Sequence, residues 1–312
     1  MPDNAMPLWD VVSCPATGQS LIADDWSAQS FDGELTYPII CGTPVLQVDL
    51  HRYLHDEQAS VARAMARWGE RADVRSWFQA NFGTLDAPVP MPIDSELEGE
   101  GFPGVWDALP KPNYLEFYRE TTDDMINDVF SDRHQKLALD LGCGQGGMMQ
   151  KMAATCVQVI GLENNFYLAS LANQLLKAES IETRVFDPVH GWKTVQVKKP
   201  VADNAQVVCA NMLHLPFHEP LFDWVHCGHA LDLVDDPEDV IHRVMRILKP
   251  GGRLSLSTPW DVAAPHHFSG LLELLENNFT TLMSRDNVPW VRWNHARRYV
   301  LHDDWMWIGK MH

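Results

Sequence analysis

Beyond residue 113 the chain alternates short apolar runs with stretches of helical periodicity. Residues 137–141, 157–162, 205–209, 224–227 and 253–257 are compact apolar runs that predict buried strands. Residues 148–154, 168–177, 239–247 and 269–277 carry the spacing of helices, and 114–130 reads as an amphipathic helix leading into the series. Residues 288–307, rich in aromatic and β-branched side chains, predict a closing antiparallel strand pair. Strand and helix in turn imply a mainly parallel α/β sheet. Earlier in the chain the pattern differs. Two apolar runs punctuated by Gly and Pro, at 8–18 and 37–46, predict a small β unit. Val61, Met65, Trp68, Val74 and Phe78 then fall near helical spacing and predict one or two helices. Residues 87–112 hold six prolines and a Glu-Leu-Glu-Gly-Glu-Gly run, a composition that cannot sustain a helix interior. The expected division is a β module over 1–55, a helical connector and Pro-rich linker over 56–112, and an α/β domain over 113–312.

Composition narrows the function classes. With 24 Lys and Arg against 42 Asp and Glu the formal charge is −18, which argues against a phosphate-binding surface. The paired basic residues Lys198-Lys199 and Arg297-Arg298 are the only short cationic groups noted. No uncharged stretch reaches the roughly 18 to 20 apolar residues of a membrane span, and no basic-then-apolar leader is legible, so a cytoplasmic location is expected. Six cysteines without a C-x-x-C pair predict neither a disulfide framework nor a complete zinc site, and no metal is expected.

The strongest chemical signal is Leu137-Ala-Leu-Asp-Leu-Gly-Cys-Gly-Gln-Gly-Gly147, an apolar strand running into a glycine-rich turn. Glycines let a backbone approach a bound nucleotide closely. Gly142, Gly144 and Gly147 also satisfy G-x-G-x-x-G, which keeps a nicotinamide enzyme open. Asp140, directly before the glycines, would sit poorly beside a diphosphate but suits a ligand bearing an ammonium and a sulfonium. Glu163 ends the next strand, where a carboxylate accepts ribose hydroxyls. Charge complementarity therefore favours S-adenosylmethionine.

Together with Ala210-Asn-Met-Leu-His-Leu-Pro-Phe217, Phe222-Asp-Trp-Val225 and Leu248-Lys-Pro-Gly-Gly-Arg-Leu254, this ordered set resembles class I methyltransferases over about residues 113–312. The resemblance implies a Rossmann-like sheet that binds S-adenosylmethionine. It assigns Asp140, Gly142, Gly144 and Gly146 to the methionine part, Glu163 to the ribose, and Asn164, Asn211 and Met212 to the adenine. Gly228 and His229 fall on the cofactor side of the next strand. Asn211 stands where the family carries an acid, and its amide oxygen retains acceptor capacity. Residues 8–48 resemble the zinc-ribbon-like Trm112 family through Cys14-Pro-Ala-Thr17 and Tyr37-Pro-Ile-Ile-Cys-Gly-Thr-Pro-Val-Leu46. Thr17 replaces a knuckle cysteine and the later pair is missing, so a ribbon without metal is expected. The run Trp293-Asn-His-Ala-Arg-Arg-Tyr299, with Tyr114 and Ser257-Thr-Pro-Trp260, is similar to the methyltransferase domain of ovothiol-biosynthesis proteins. That similarity implies methylation of a ring nitrogen on a small amino-acid-like acceptor.

Ligands of open α/β sheets lie over the carboxyl ends of the strands. The acceptor-facing candidates are accordingly His229, Asp232, Trp260 and Asp261. The ovothiol resemblance adds Tyr114, Tyr118, His295, Arg297 and Arg298. The expected function is methyl transfer to nitrogen or sulfur of a small histidine-, thiol- or thioether-type acceptor. An RNA methyltransferase and a non-catalytic S-adenosylmethionine-binding partner stand as alternatives. No oligomeric state is predicted.

Overall fold

A computed structural model describes residues 5–83, 97–99, 101–102, 104–116, 135–260 and 266–312. Five strands, β5 (Gln135–Leu141), β6 (Cys156–Glu163), β9 (Ala205–Ala210), β10 (Phe222–Gly228) and β11 (Leu248–Thr258), form a parallel centre in the order β9-β6-β5-β10-β11. Their runs are apolar throughout because both faces are covered by helices. Ala138 and Trp224 belong to the core under helices Gln58–Trp68 and Phe166–Lys177. Leu139 and Val225, one residue on, belong to the core under helices Pro237–Ile247 and His266–Asn278. Two of these helices start where a side chain satisfies a free amide: Asn165 accepts from Leu168 N at 3.0 Å, and Asp236 from Asp239 N at 2.9 Å ahead of Pro237. The expectation of a mixed α/β Rossmann-like sheet is met.

The N-terminal strands β1 (Leu21–Ala23), β2 (Ser27–Ser30), β3 (Thr36–Ile40) and β4 (Thr43–Leu46) are antiparallel to one another. They do not stand apart from the sheet. β4 pairs in parallel with β9, Val45 opposite Cys209 and Leu46 opposite Ala210, so the first strands extend the central sheet. Asn173 locks the junction, donating to Thr43 Oγ1 and Val207 O at 3.0 Å each while accepting from Val207 N. Cys14 and Cys41 are free, and Cys14 Sγ meets Tyr37 Oη at 3.1 Å.

Two hairpins leave the sheet. β12 (Phe279–His295) and β13 (Arg298–Met311) add antiparallel strands beyond β11 and overrun its end, since Thr258 lies opposite Trp305. β7 (Ser180–Asp187) and β8 (Gly191–Lys198) form a separate two-stranded sheet. This pair fills the long insert before β9, which the sequence pattern left without an element. The hairpins meet near their tips: Trp192 packs edge-on against His295 at 5.8 Å, and Arg297 lies over the Phe186 ring at 4.5 Å. No helix among the described residues is long and apolar enough to cross a membrane.

Candidate active site

Three loops converge at the carboxyl ends of β5, β9 and β10. Gly142, Gly144 and Gly146 adopt φ of 77°, 52° and 87°, the left-handed region where a side chain is strained. Gly142 is required twice over, because a Cβ there would come within 2.6 Å of Ala230 Cβ and 3.6 Å of Met212 Cε. The glycine turn, the loop after β9 and the loop after β10 therefore touch at one point.

Two carboxylates border this point. Asp140 is 3% exposed, and its Oδ2 has no hydrogen-bond partner among the described residues. Burial, reinforced by the charge of Glu163, raises its pKa to about 7. Glu163 accepts from Gly144 N at 3.0 Å and from Asn165 N at 2.8 Å, which ties the glycine turn to the end of β6. Its pKa is also raised, chiefly by burial, despite these amides. A sealed acid such as Asp140 with a half-buried acid, Glu163, beside it is costly unless a positively charged ligand joins them. The site thus fits a cationic nucleoside better than a diphosphate, and S-adenosylmethionine has the matching ammonium, sulfonium and ribose diol.

Asn164 and Asn211, the residues expected at the adenine, are held from outside the glycine motif. Asn164 Oδ1 accepts from Gln47 Nε2 at 3.1 Å, and Asn164 O accepts from the Tyr53 hydroxyl. Both donors follow β4, so the N-terminal strands supply support that the sequence reading did not anticipate. Asn211 Oδ1 accepts from Leu213 N at 2.9 Å in a local turn, leaving it one lone pair for an adenine amine. Asn211, Gln47, Tyr53, Arg52 and His214 line an open cleft of about 310 Å³. Gly228 approaches a different neighbour: a Cβ there would meet His226 Nε2 at 2.7 Å. His226 is buried, bonded through Nδ1 to Ser255 Oγ at 2.8 Å, and held neutral by burial with its pKa lowered to about 3.

On the acceptor side, His229 has φ of 54° and donates its backbone N–H to Ser257 O at 2.7 Å. Its ring stacks on Trp290 with centroids 3.5 Å apart and planes 14° from parallel. Its Nε2 is bonded to Asp304 Oδ2, which also accepts from Ser257 Oγ at 2.9 Å. Asp304 was not among the expected residues. Strand periodicity puts it on one face with Met306 and Ile308, all buried, and an acid on a buried strand face is the signal that marks it. Asp232 Oδ1 accepts from Thr258 Oγ1 at 3.3 Å, and Trp260 N donates to the same hydroxyl at 3.0 Å.

The structure does not bring every candidate to this point. His295, Arg297 and Arg298 sit at the β12–β13 turn, six residues of strand beyond Asp304, or roughly 20 Å at strand rise. There His295 packs on Trp192 and Arg297 on Phe186 of the other hairpin. Tyr118 and Asp261 lie outside the described residues, as does the Tyr114 side chain. Lys199 is not a surface cation. It is 7% exposed and donates to Gln150 Oε1, Leu176 O and Pro200 O, so the Lys198-Lys199 pair presents one charge rather than two. Among the described residues no cluster of three or more His, Cys, Asp or Glu has a metal-holding arrangement.

Residues 139–256 match the family model described as a methyltransferase domain. The chain is 29% identical to 24-methylenesterol C-methyltransferase 2 of rice, over 46% of this chain and 35% of that protein. It is 30% identical to the ubiquinone/menaquinone biosynthesis C-methyltransferase of Ectopseudomonas mendocina, over 42% of this chain and 51% of that protein. The N-methyltransferase NodS of Bradyrhizobium japonicum, solved with S-adenosyl-L-homocysteine, superposes with a TM-score of 0.46 at 16% identity, over 64% of this chain and 91% of NodS. The chain spans about a third to a half of the length of the curated relatives it matches. The matched segment runs from β5 to β11 and contains the glycine turn, Glu163 and the His229 loop. It is an S-adenosylmethionine-dependent methyltransferase domain on a Rossmann-like sheet.

Proposed function

We propose that the protein transfers the methyl group of S-adenosylmethionine to nitrogen or sulfur of a small amino-acid-like acceptor. The observation that carries the cofactor reading is the buried Asp140 with the half-buried Glu163 beside it, around a glycine turn at the strand ends. S-adenosylmethionine supplies an electrophilic methyl on a sulfonium. Asp140 faces the ammonium end, Glu163 the ribose, and Asn164 with Asn211 the adenine. The residues of the chain need only hold the ligands in line, exclude water and handle any proton on the acceptor.

The acceptor reading rests on the ovothiol-like resemblance of residues 293–299 and is supported by a ring-lined acceptor end, where His229 stacks on Trp290. A planar imidazole fits such walls. The burial of Lys199 further disfavours RNA, whose binding draws on exposed cations. The N-terminal strands are read as a Trm112-like ribbon without metal that has become one sheet with the domain it supports, consistent with the β4–β9 pairing. The test is calorimetry with S-adenosylmethionine on the wild type and Glu163→Ala, followed by a panel of thiol and imidazole amino acids with methyl-labelled cofactor. Micromolar binding and label in one panel member are expected. Binding without transfer to any small acceptor would return the weight to a non-catalytic partner role.

A further inference from the structure

Resting on the methyltransferase reading, we infer that His229 is the general base of the reaction, held in its working tautomer by Asp304, and that the acceptor loses a proton as it gains the methyl group. Four observations converge on His229. Its neighbour Ala230 abuts Gly142 of the cofactor turn, which puts the imidazole one residue from the loop that holds the methyl donor. Its backbone is left-handed, a conformation that a non-glycine residue keeps where the surroundings impose it. Here they do, through the hydrogen bond that the His229 backbone N–H donates to Ser257 O and through the stack on Trp290. The ring is partly open, with 22% of the side chain exposed, while its partner Asp304 is sealed at 1%.

The direction of the hydrogen bond decides the chemistry. A carboxylate only accepts, so Nε2 of His229 carries a proton toward Asp304. In the neutral ring the other nitrogen, Nδ1, then holds a lone pair, and it makes no hydrogen bond among the described residues. Ser257 Oγ donates to the same oxygen of Asp304 and fixes the carboxylate. The arrangement is that of a base oriented by a second group.

The step balances simply. The acceptor heteroatom bonds to the methyl carbon, and the carbon–sulfur bond breaks with its electron pair staying on sulfur as a thioether. The heteroatom's proton passes to Nδ1, and Asp304 stabilises the resulting imidazolium until the proton leaves to solvent. Asp304 is a positioning residue, since it acts through His229. The acceptor class follows: a nitrogen or sulfur group with a proton to lose, such as an imidazole N–H or a thiol, rather than a thioether.

The test uses the full chain labelled with nitrogen-15 in histidine, with S-adenosylhomocysteine bound, and Asp304→Asn and His229→Gln beside the wild type. His229→Gln assigns the resonance. The expected result is a neutral His229 protonated at Nε2 and unprotonated at Nδ1, a tautomer that Asp304→Asn disturbs while the melting curve stays cooperative. A wild-type His229 with its proton on Nδ1 would overturn the proposal whether or not an acceptor is in hand. In methyl-transfer assays His229→Gln is expected to lower turnover by about 10²- to 10⁴-fold with S-adenosylhomocysteine affinity unchanged. Full turnover by His229→Gln would also overturn it. Failure of the folded wild type to bind S-adenosylhomocysteine is a separate outcome that removes the cofactor reading on which the base depends.

Discussion

The two ends of the site are built in different ways. At the cofactor end the carboxylates and glycines come from two consecutive strands and the turn after the first, with Asp140 and Glu163 both on residues 139–163. At the acceptor end His229 and Asp304 are separated by 75 residues and meet only because β13 lies against β11. A cofactor common to many reactions is served by a compact local unit. In the proposed function the acceptor meets a surface assembled from distant strands rather than one local unit. Gly142 is the point at which the two ends touch.

That division can be broken most sharply at the contact itself. Gly142→Val places a side chain into Ala230 at a left-handed position, and is expected to cost roughly 2–5 kcal/mol of stability. It should also abolish measurable cofactor binding and disorder the His229 loop, read by thermal melts and calorimetry. Retained binding would mean that the ends are not coupled there. Next in size, Glu163→Ala is expected to weaken S-adenosylmethionine by roughly 1.5–3 kcal/mol, the loss of charge-assisted hydrogen bonds. His229→Gln should leave that affinity within about twofold.

Asp140 gives the comparison a pH signature. Its folded pKa is raised from 3.8 to about 7, so the stability it contributes is fully present below the unfolded value and is lost as pH rises through about 7. The unliganded protein should therefore be more stable near pH 5 than near pH 8, and Asp140→Asn should flatten that slope. A bound cation favours the carboxylate. Cofactor binding below pH 7 should release a proton, seen as a buffer-dependent heat, and affinity should rise by up to about tenfold per pH unit toward 7. The smallest effect belongs to the N-terminal support. Tyr53→Phe removes the bond to Asn164 O and should weaken the cofactor by about 0.5–1.5 kcal/mol, with turnover per bound cofactor unchanged.

The same contrast explains what could be read along the chain. The cofactor end was legible because strand, turn and acid lie within one stretch whose apolar runs and glycines carry direct physical meaning. The run 37–46 predicts part of a small β unit, but the partner of β4, β9, is more than 150 residues away and no local pattern names it. The β7–β8 hairpin was missed because its strands are half polar, with Glu182 and Arg184 exposed on the first and Lys193, Gln196 and Lys198 on the second. Arg297 and His295 have side chains suited to a carboxylate, yet the register of β12 and β13 carries them past the site. Asp304 was present as an acid on an otherwise buried strand face, but its meaning depends on the β11–β13 register that brings Ser257 and His229 to it.

The central claim is that the buried Asp140 and its neighbour Glu163 at the strand ends await a cationic nucleoside, and calorimetry of the wild type with S-adenosylmethionine at pH 6 in two buffers of different ionisation heat tests it most directly. The account predicts micromolar binding with release of close to one proton. A folded protein that gives no heat beyond dilution, or that binds without exchanging a proton, would contradict it.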